Sequence, residues 1–241
     1  MIISLYSDGK GGVGKSVIAQ MLTLLLSRFL GEDNVALIDL ARDSSVTSRL
    51  LKNPEPPFVS DWLLGRCELA DVLRSYRLNV GDKVYKFWFA PNNSRNVTIE
   101  DLDSKIEELT LISEYLKATV LDLPTFPYDS QFAKFLEASD RIILVSTPDW
   151  GSLKAIVNLK PDNKFVIPVL NQYHPVLEQY KLYMEKRFGH CITLPHDKVL
   201  LNIKPERAGY ILKSLSKDFQ VGLGRLTSVV VSKSFAILEK Q

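Results

Sequence analysis

Asp8-Gly9-Lys10-Gly11-Gly12-Val13-Gly14-Lys15-Ser16-Val17 is the stretch that decides how this 241-residue chain is read. Ahead of it, Ile2-Ile3-Ser4-Leu5-Tyr6 is a short apolar run that reads as a buried strand. Behind it, residues 17–26 form an apolar, helix-like segment. Strand, glycine-rich turn and helix together make the setting of a phosphate-cradling loop. Glycines let the backbone curl until successive N–H groups face an anion, and the helix N-terminus adds partial positive charge. The spacing G-x-x-x-x-G-K-[ST] is complete from Gly9 to Ser16. In that pattern Lys15 reaches the β- and γ-phosphates, and the Ser16 hydroxyl can ligate Mg²⁺. A plain surface turn has no need of Lys and Ser at those offsets.

Further along, apolar and β-branched runs recur at residues 35–38, 84–90, 119–121, 141–146, 164–170 and 191–194. Helical patterns lie between them, most clearly at 100–117, 129–138 and 174–188. The alternation predicts an α/β fold in one domain spanning 1–241: a mostly parallel sheet with helices on both faces. Ligands of such sheets bind beyond the C-terminal strand ends, where this loop falls. The Pro-rich stretch Asn53-Pro54-Glu55-Pro56-Pro57 reads as a loop.

Hydrophobic content of 46% and charged content of 24% are those of an ordinary globular protein. No apolar run reaches bilayer length, and no basic region with an apolar stretch precedes the loop, so a cytoplasmic location is expected. Cys67 and Cys191 stand apart, without a C-x-x-C, and suggest neither a disulfide framework nor zinc. The net charge of +2 hides an asymmetry. Residues 151–241 hold 14 Lys/Arg against 7 Asp/Glu, and residues 1–150 hold 16 against 21. A basic C-terminal third suits the DNA backbone, although a solvated lysine-rich surface carries the same charge.

Two aspartates close apolar runs: Asp39 in Leu37-Ile38-Asp39, and Asp122 in Val120-Leu121-Asp122. A carboxylate at a strand end beside a phosphate loop is placed to hold Mg²⁺.

Lys10 is a second lysine inside the loop. With it, Lys10-Gly11-Gly12-Val13-Gly14-Lys15-Ser16 resembles the deviant Walker A motif of the ParA/MinD family of P-loop ATPases. The resemblance implies a single P-loop NTPase domain with ATP and Mg²⁺ as ligands. It implies nucleotide contacts from Gly11, Gly12, Val13, Gly14, Lys15, Ser16 and Val17. It gives Lys10 a role across a dimer interface, on the partner's phosphates. Asp39 resembles the first aspartate of the family's switch I D-x-D and would serve catalysis and the metal, with Ser16 and Asp122 as further metal ligands. The second switch I aspartate, which helps to orient the attacking water, is replaced by Ala41. A methyl group cannot accept a proton; Asp43 is the nearest carboxylate that could substitute. Val17 replaces a Thr of the motif, leaving only its backbone N–H to meet the α-phosphate.

Asp122-Leu123-Pro124-Thr125 resembles the family's D-x-P-P, with Thr125 for the last proline. Thr147-Pro148-Asp149 resembles its T-P-E. Asn171 matches the asparagine that reads adenine, and Leu194-Pro195-His196-Asp197 resembles the I-P-x-D turn beside the base, which brings Pro195 and His196 to the nucleotide. Among branches of the family, the sequence resembles the short ParA-like partitioning ATPases. These form a homodimer on ATP, bind nonspecific DNA and answer to a ParB-like partner. Iron–sulfur carriers need cysteines that are not placed here, and tyrosine-kinase relatives need a C-terminal tyrosine cluster. A DNA-reading domain ahead of the loop, as in large plasmid ParA proteins, has no room. A MinD-like membrane helix would have to come from residues 226–240, which are expected instead to cover the sheet, so no membrane attachment is expected. A hydrolysis-poor nucleotide switch is the other reading, and Ala41 is the feature behind it.

Overall fold

The chain closes most of its apolar runs into one sheet. The structure is a computed structural model and describes residues 1–7, 11–43, 45–93, 97–125, 130–157 and 164–236. Eight strands are seen among these residues: β1 (Ile2–Tyr6), β2 (Val35–Asp39), β3 (Arg74–Val80), β4 (Lys83–Ala90), β5 (Ala118–Asp122), β6 (Arg141–Ser146), β7 (Phe165–Tyr173) and β8 (Ile192–Pro195). Their order is β3-β4-β2-β5-β1-β6-β7-β8. Every pairing is parallel except β3 with β4. Every residue of β1, β2 and β5 is buried, which is why these strands read as unbroken apolar runs: both their faces are covered.

Alternate residues feed two cores. Ile3, Leu5, Leu37 and Phe87 pack on one side with Ile18 and Leu22 of α1 (Lys15–Leu30) and Phe219 and Leu226 of α10 (Lys217–Ser232). Ile2, Tyr6, Ile38 and Leu121 pack on the other with Leu109 of α5 (Leu102–Tyr115), Phe135 of α6 (Ala133–Glu137), Leu153 of α7 (Trp150–Val157) and Met184 of α8 (Glu178–Phe188). Helices on both faces of a mostly parallel sheet are the expected fold class.

Four details depart from the sequence expectation. The edge strand β3 reads Arg-Ser-Tyr-Arg-Leu-Asn-Val, too charged to stand out as an apolar run. It exists because Gly81, with φ 65°, turns the chain back so that Tyr76 and Leu78 pair with Phe87 and Tyr85. The segment 174–188 begins as a 3₁₀ turn, Pro175–Leu177, before α8. The C-terminal helix starts at Lys217 and stops at Ser232, with Lys233 in the left-handed conformation as its cap. Buried Phe219, Leu223, Leu226, Val229 and Val230 face the sheet, the covering role expected of this segment. The expected helix at 129–138 is seen as α6 at Ala133–Glu137, and residue 129 lies outside the described residues.

Helix α10 comes close enough to β8 that its glycines are not equivalent. A Cβ on Gly222 would sit 2.7 Å from the Thr193 carbonyl oxygen and 3.0 Å from Leu194 Cδ2, whereas one on Gly224 meets nothing within 4 Å. Gly222→Val is therefore expected to destabilise the fold by about 1–3 kcal/mol through overpacking. Gly224→Ala is expected to be neutral or to stabilise by up to about 1 kcal/mol through helix propensity. Urea midpoints of the two variants check the contrast.

Candidate functional site

The parallel register sets the chemistry. It places Asp39, the last residue of β2, beside Asp122, the last residue of β5, and Leu5 of β1 beside Asp122 on its other side. Two carboxylates thus end neighbouring strands, and both are fully buried.

The loop after β1 runs alongside them. Its first residues, including Asp8, Gly9 and Lys10, lie outside the described residues. Gly12 and Gly14 have φ of 78° and 91°, conformations that favour glycine. A Cβ on Gly14 would fall 2.3 Å from the Asn171 amide nitrogen. Gly14 caps α1, and the Ile18 N–H donates to its carbonyl at 3.0 Å. Lys15 is the first residue of α1 and only 8% exposed. Its Nζ donates to Ser7 Oγ and to Thr125 Oγ1, each at 2.8 Å, so the ammonium is slung between the ends of β1 and β5. Burial lowers the Lys15 pKa, and Asp122 and then Asp43 oppose that shift.

The two aspartates are treated differently. Asp39 is saturated: Ala41 N donates to Oδ1 at 3.2 Å, and Thr47 N and Thr47 Oγ1 donate to Oδ2 at 2.8 and 2.7 Å. These bonds lower its pKa, but burial first and then the neighbouring Asp122 charge raise it further, to about 7. Asp122 is open. Neither of its oxygens meets a hydrogen-bond partner among the described residues. Burial lifts its pKa above the ordinary carboxylate range; the nearby Ser16 hydroxyl, Lys15 and Arg49 pull it back, while Asp43 adds to the rise. A buried carboxylate with unpaired oxygens beside a serine hydroxyl is a fitting seat for a divalent cation. The described residues hold no group of three or more His, Cys, Asp or Glu side chains placed to bind a metal. A cation here would take few protein ligands and complete its shell with phosphate and water, the habit of Mg²⁺.

A cavity of about 490 Å³ opens beside this centre, lined by the neighbours of Asp39 and Asp122 but by neither aspartate itself. Its floor is Gly11 through Val17. Sheet order assigns its two ends. On the β2–β5 side are Ala41, Asp43, Arg49, Pro124 and Thr125; on the β7–β8 side are Asn171, Gln172, Pro195, His196 and Leu201. The structure thus brings the sequence-selected loop, Asn171, Pro195 and His196 to one cavity. The Asn171 side chain also holds the loop down, its Nδ2 donating to the Val13 carbonyl at 2.8 Å. The Asp197 carboxylate is spent on backbone, accepting from Val199 N at 3.0 Å and Ser216 N at 2.7 Å. Asp149 takes the Thr147 hydroxyl at 2.7 Å and the Ser152 N–H at 3.0 Å at the start of α7. That cap serves α7, and Thr147, Pro148 and Asp149 are not among the cavity's lining residues.

Three contributors were not selected from the sequence. Thr125 stood out only as a lost proline, yet its hydroxyl holds Lys15. Asn92, after β4, donates through Nδ2 to the Ala41 carbonyl at 2.9 Å and through its backbone N–H to Thr47 Oγ1 at 2.8 Å, clamping the loop that follows β2. Arg49, on α2 (Ser45–Leu50), carries its charge toward Asp122, Asp39 and Asp43. No local pattern marks any of the three.

Residues 6–175 match the CobQ/CobB/MinD/ParA nucleotide binding domain. Solved structures with the same fold include the septum site-determining protein MinD with Mg-ADP from Pyrococcus horikoshii OT3, at TM-score 0.72 and 18% identity over 95% of this chain and 96% of that one. A ParA family ATPase from Chlorobium tepidum TLS aligns at TM-score 0.71 and 18% identity, over 93% and 98% of the two chains. The ATP complex of a McdA variant from Cyanothece aligns at TM-score 0.69 and 18% identity, over 92% and 94%. Sequence comparison with curated proteins gives no match. The chain belongs to the CobQ/CobB/MinD/ParA family of nucleotide-binding domains.

The open state of Asp122 has a consequence for the ligand-free protein. A carboxyl whose pKa is raised by folding binds more protons in the native than in the unfolded state. Its contribution to stability is greatest below the ordinary carboxylate range near 3.8 and is lost as pH rises toward about 7. Asp122→Asn removes one of the paired charges without disturbing the donors on Asp39. The variant is expected to gain stability over wild type as pH rises from 4 to 7. Urea midpoints of the ligand-free proteins across that range measure it. A difference that stays flat or shrinks contradicts the raised pair.

Proposed function

We propose that this protein is an ATP- and Mg²⁺-dependent ATPase of the ParA type, which dimerises on ATP and then holds DNA without sequence preference. The observation that carries the reading is Lys15. A buried ammonium, fixed by two hydroxyls in the glycine-rich lining of the cavity and near a carboxylate with unpaired oxygens, suits the β/γ-phosphates of a Mg²⁺-bound nucleotide. The P. horikoshii MinD relative binds Mg-ADP and the Cyanothece McdA variant binds ATP, in keeping with it.

In this reading the N–H groups of Gly11 to Val17 cradle the phosphates, and Lys15 neutralises the charge that develops on the β/γ bridge. Ser16 and Asp122 hold Mg²⁺, which when bound supplies further charge stabilisation there. Asp39, already saturated by Ala41 and Thr47, acts in the outer shell and keeps the loop after β2 in place. Asn171 with Pro195 and His196 flanks the adenine. Lys10, which lies outside the described residues, reaches the partner's phosphates across the dimer. Exposed Lys186, Arg187, Lys198, Lys204, Arg207, Lys213, Lys217 and Arg225 give the C-terminal third its cationic surface for DNA. A ParB-like partner triggers hydrolysis and release in such a cycle, which runs in the cytoplasm. The whole chain, 1–241, acts as one domain. Among the described residues no helix is long and apolar enough to cross a membrane.

The test is DNA binding at a series of salt concentrations with ATP, with ADP and without nucleotide. Binding is expected only with ATP, weakening steeply with salt, and absent in Lys15→Ala. Equal binding in all three nucleotide states contradicts the switch, and none at low salt with ATP contradicts the partitioning role.

Hydrolysis is expected to be slow, because Ala41 offers no acceptor to the attacking water. Ala41→Asp is expected to raise turnover by about 10²-fold, the usual worth of a positioned base. Asp43 lines the same end of the cavity. If wild type already turns over as fast as Ala41→Asp, and Asp43→Ala abolishes that rate, Asp43 holds the water and position 41 is no loss.

A further inference from the structure

Arg49 stands where neither the loop motif nor the strand-end aspartates call for a cation. It lies two residues beyond Thr47, whose backbone and hydroxyl are both tied to Asp39, so α2 has a fixed start. Its side chain lines the cavity at the end that also presents Ala41 and Thr125. Burial works against its protonated form, while the charges of Asp122, Asp39 and Asp43 support it. Without nucleotide, Arg49 thus serves as counter-ion to an acidic centre of three carboxylates.

A bound nucleotide changes that balance. When a divalent cation takes Asp122, the carboxylates lose much of their hold on the guanidinium. The strongest anion in its reach is then the last phosphate of the chain lying over Gly11–Ser16. A guanidinium presents its donors as a planar fork suited to phosphate oxygens and stays charged when partly buried. With the base at the β7–β8 end, as proposed above, ADP would end one phosphate short of the β2–β5 end, whose lining includes Arg49. Building on the nucleotide reading above, we propose that Arg49 reads the terminal phosphate, in the same chain, and supplies the preference for nucleoside triphosphate over diphosphate.

Calorimetric titration of Mg-ATP and Mg-ADP into wild type, Arg49→Ala and Arg49→Lys tests this. Arg49→Ala is expected to weaken Mg-ATP by about 10-fold or more, the worth of a charge-assisted hydrogen bond, and to move Mg-ADP by no more than about 2-fold. Arg49→Lys restores the charge but not the fork and is expected to fall between the two. A parallel loss for both nucleotides, or no loss for either, overturns the proposal. Wild type that binds neither nucleotide overturns the underlying reading as well, which separates the two failures. Thermal melts of the variants report folding; if Arg49→Ala does not fold, the ratio of affinities in Arg49→Lys decides, and a ratio equal to wild type counts against the fork.

Discussion

Two carboxylates buried side by side, Asp39 and Asp122, constrain the rest of the site. Burying a charge costs several kcal/mol unless something pairs with it, and burying two together costs more. The protein answers in two ways. Asp39 is given three donors, which also fixes the loop after β2 and, through Thr47 and Asn92, joins it to the end of β4. Asp122 is left with unpaired oxygens among the described residues and is countered by the nearby Ser16 hydroxyl and by the charges of Lys15 and Arg49. That asymmetry gives the two residues different work. One fixes the loop after β2, and the other keeps its oxygens open.

The local parts of this design were legible in the sequence because their causes are local. A loop that needs positive φ at Gly12 and Gly14, and the approach of Asn171 that excludes a side chain at Gly14, write glycines into fixed places. The central strands announced themselves because burial on both faces leaves mostly apolar residues. The edge strand β3 did not, since one face meets solvent and its arginines mask the pattern. Thr125, Asn92 and Arg49 were invisible for another reason. Each acquires its role from a neighbour brought close by parallel register or by a strand-end loop, and no spacing along the chain encodes that meeting. The aspartates were found singly, as strand ends, but their adjacency belongs to the β2–β5 register.

Position 41 is where the family pattern and this chain part. The backbone there keeps its structural duties: the Ala41 N–H donates to Asp39, and its carbonyl accepts from Asn92. Only the side chain's chemistry is missing. Around that position the cavity end carries Asp43 and Arg49. In the proposed reading, a phosphate loop and an open carboxylate without a carboxylate side chain at position 41 suit slow hydrolysis.

The account's central claim is that the Asp39–Asp122 pair holds a proton until a cation arrives. Titrating Mg-ATP into the protein in buffers of different ionisation enthalpy, at several pH values, counts the protons exchanged on binding. The account predicts release of a fraction of a proton per nucleotide bound near pH 6–7, where the raised pair still holds one, declining toward zero above pH 8. Proton uptake, or no exchange across that range, would contradict it.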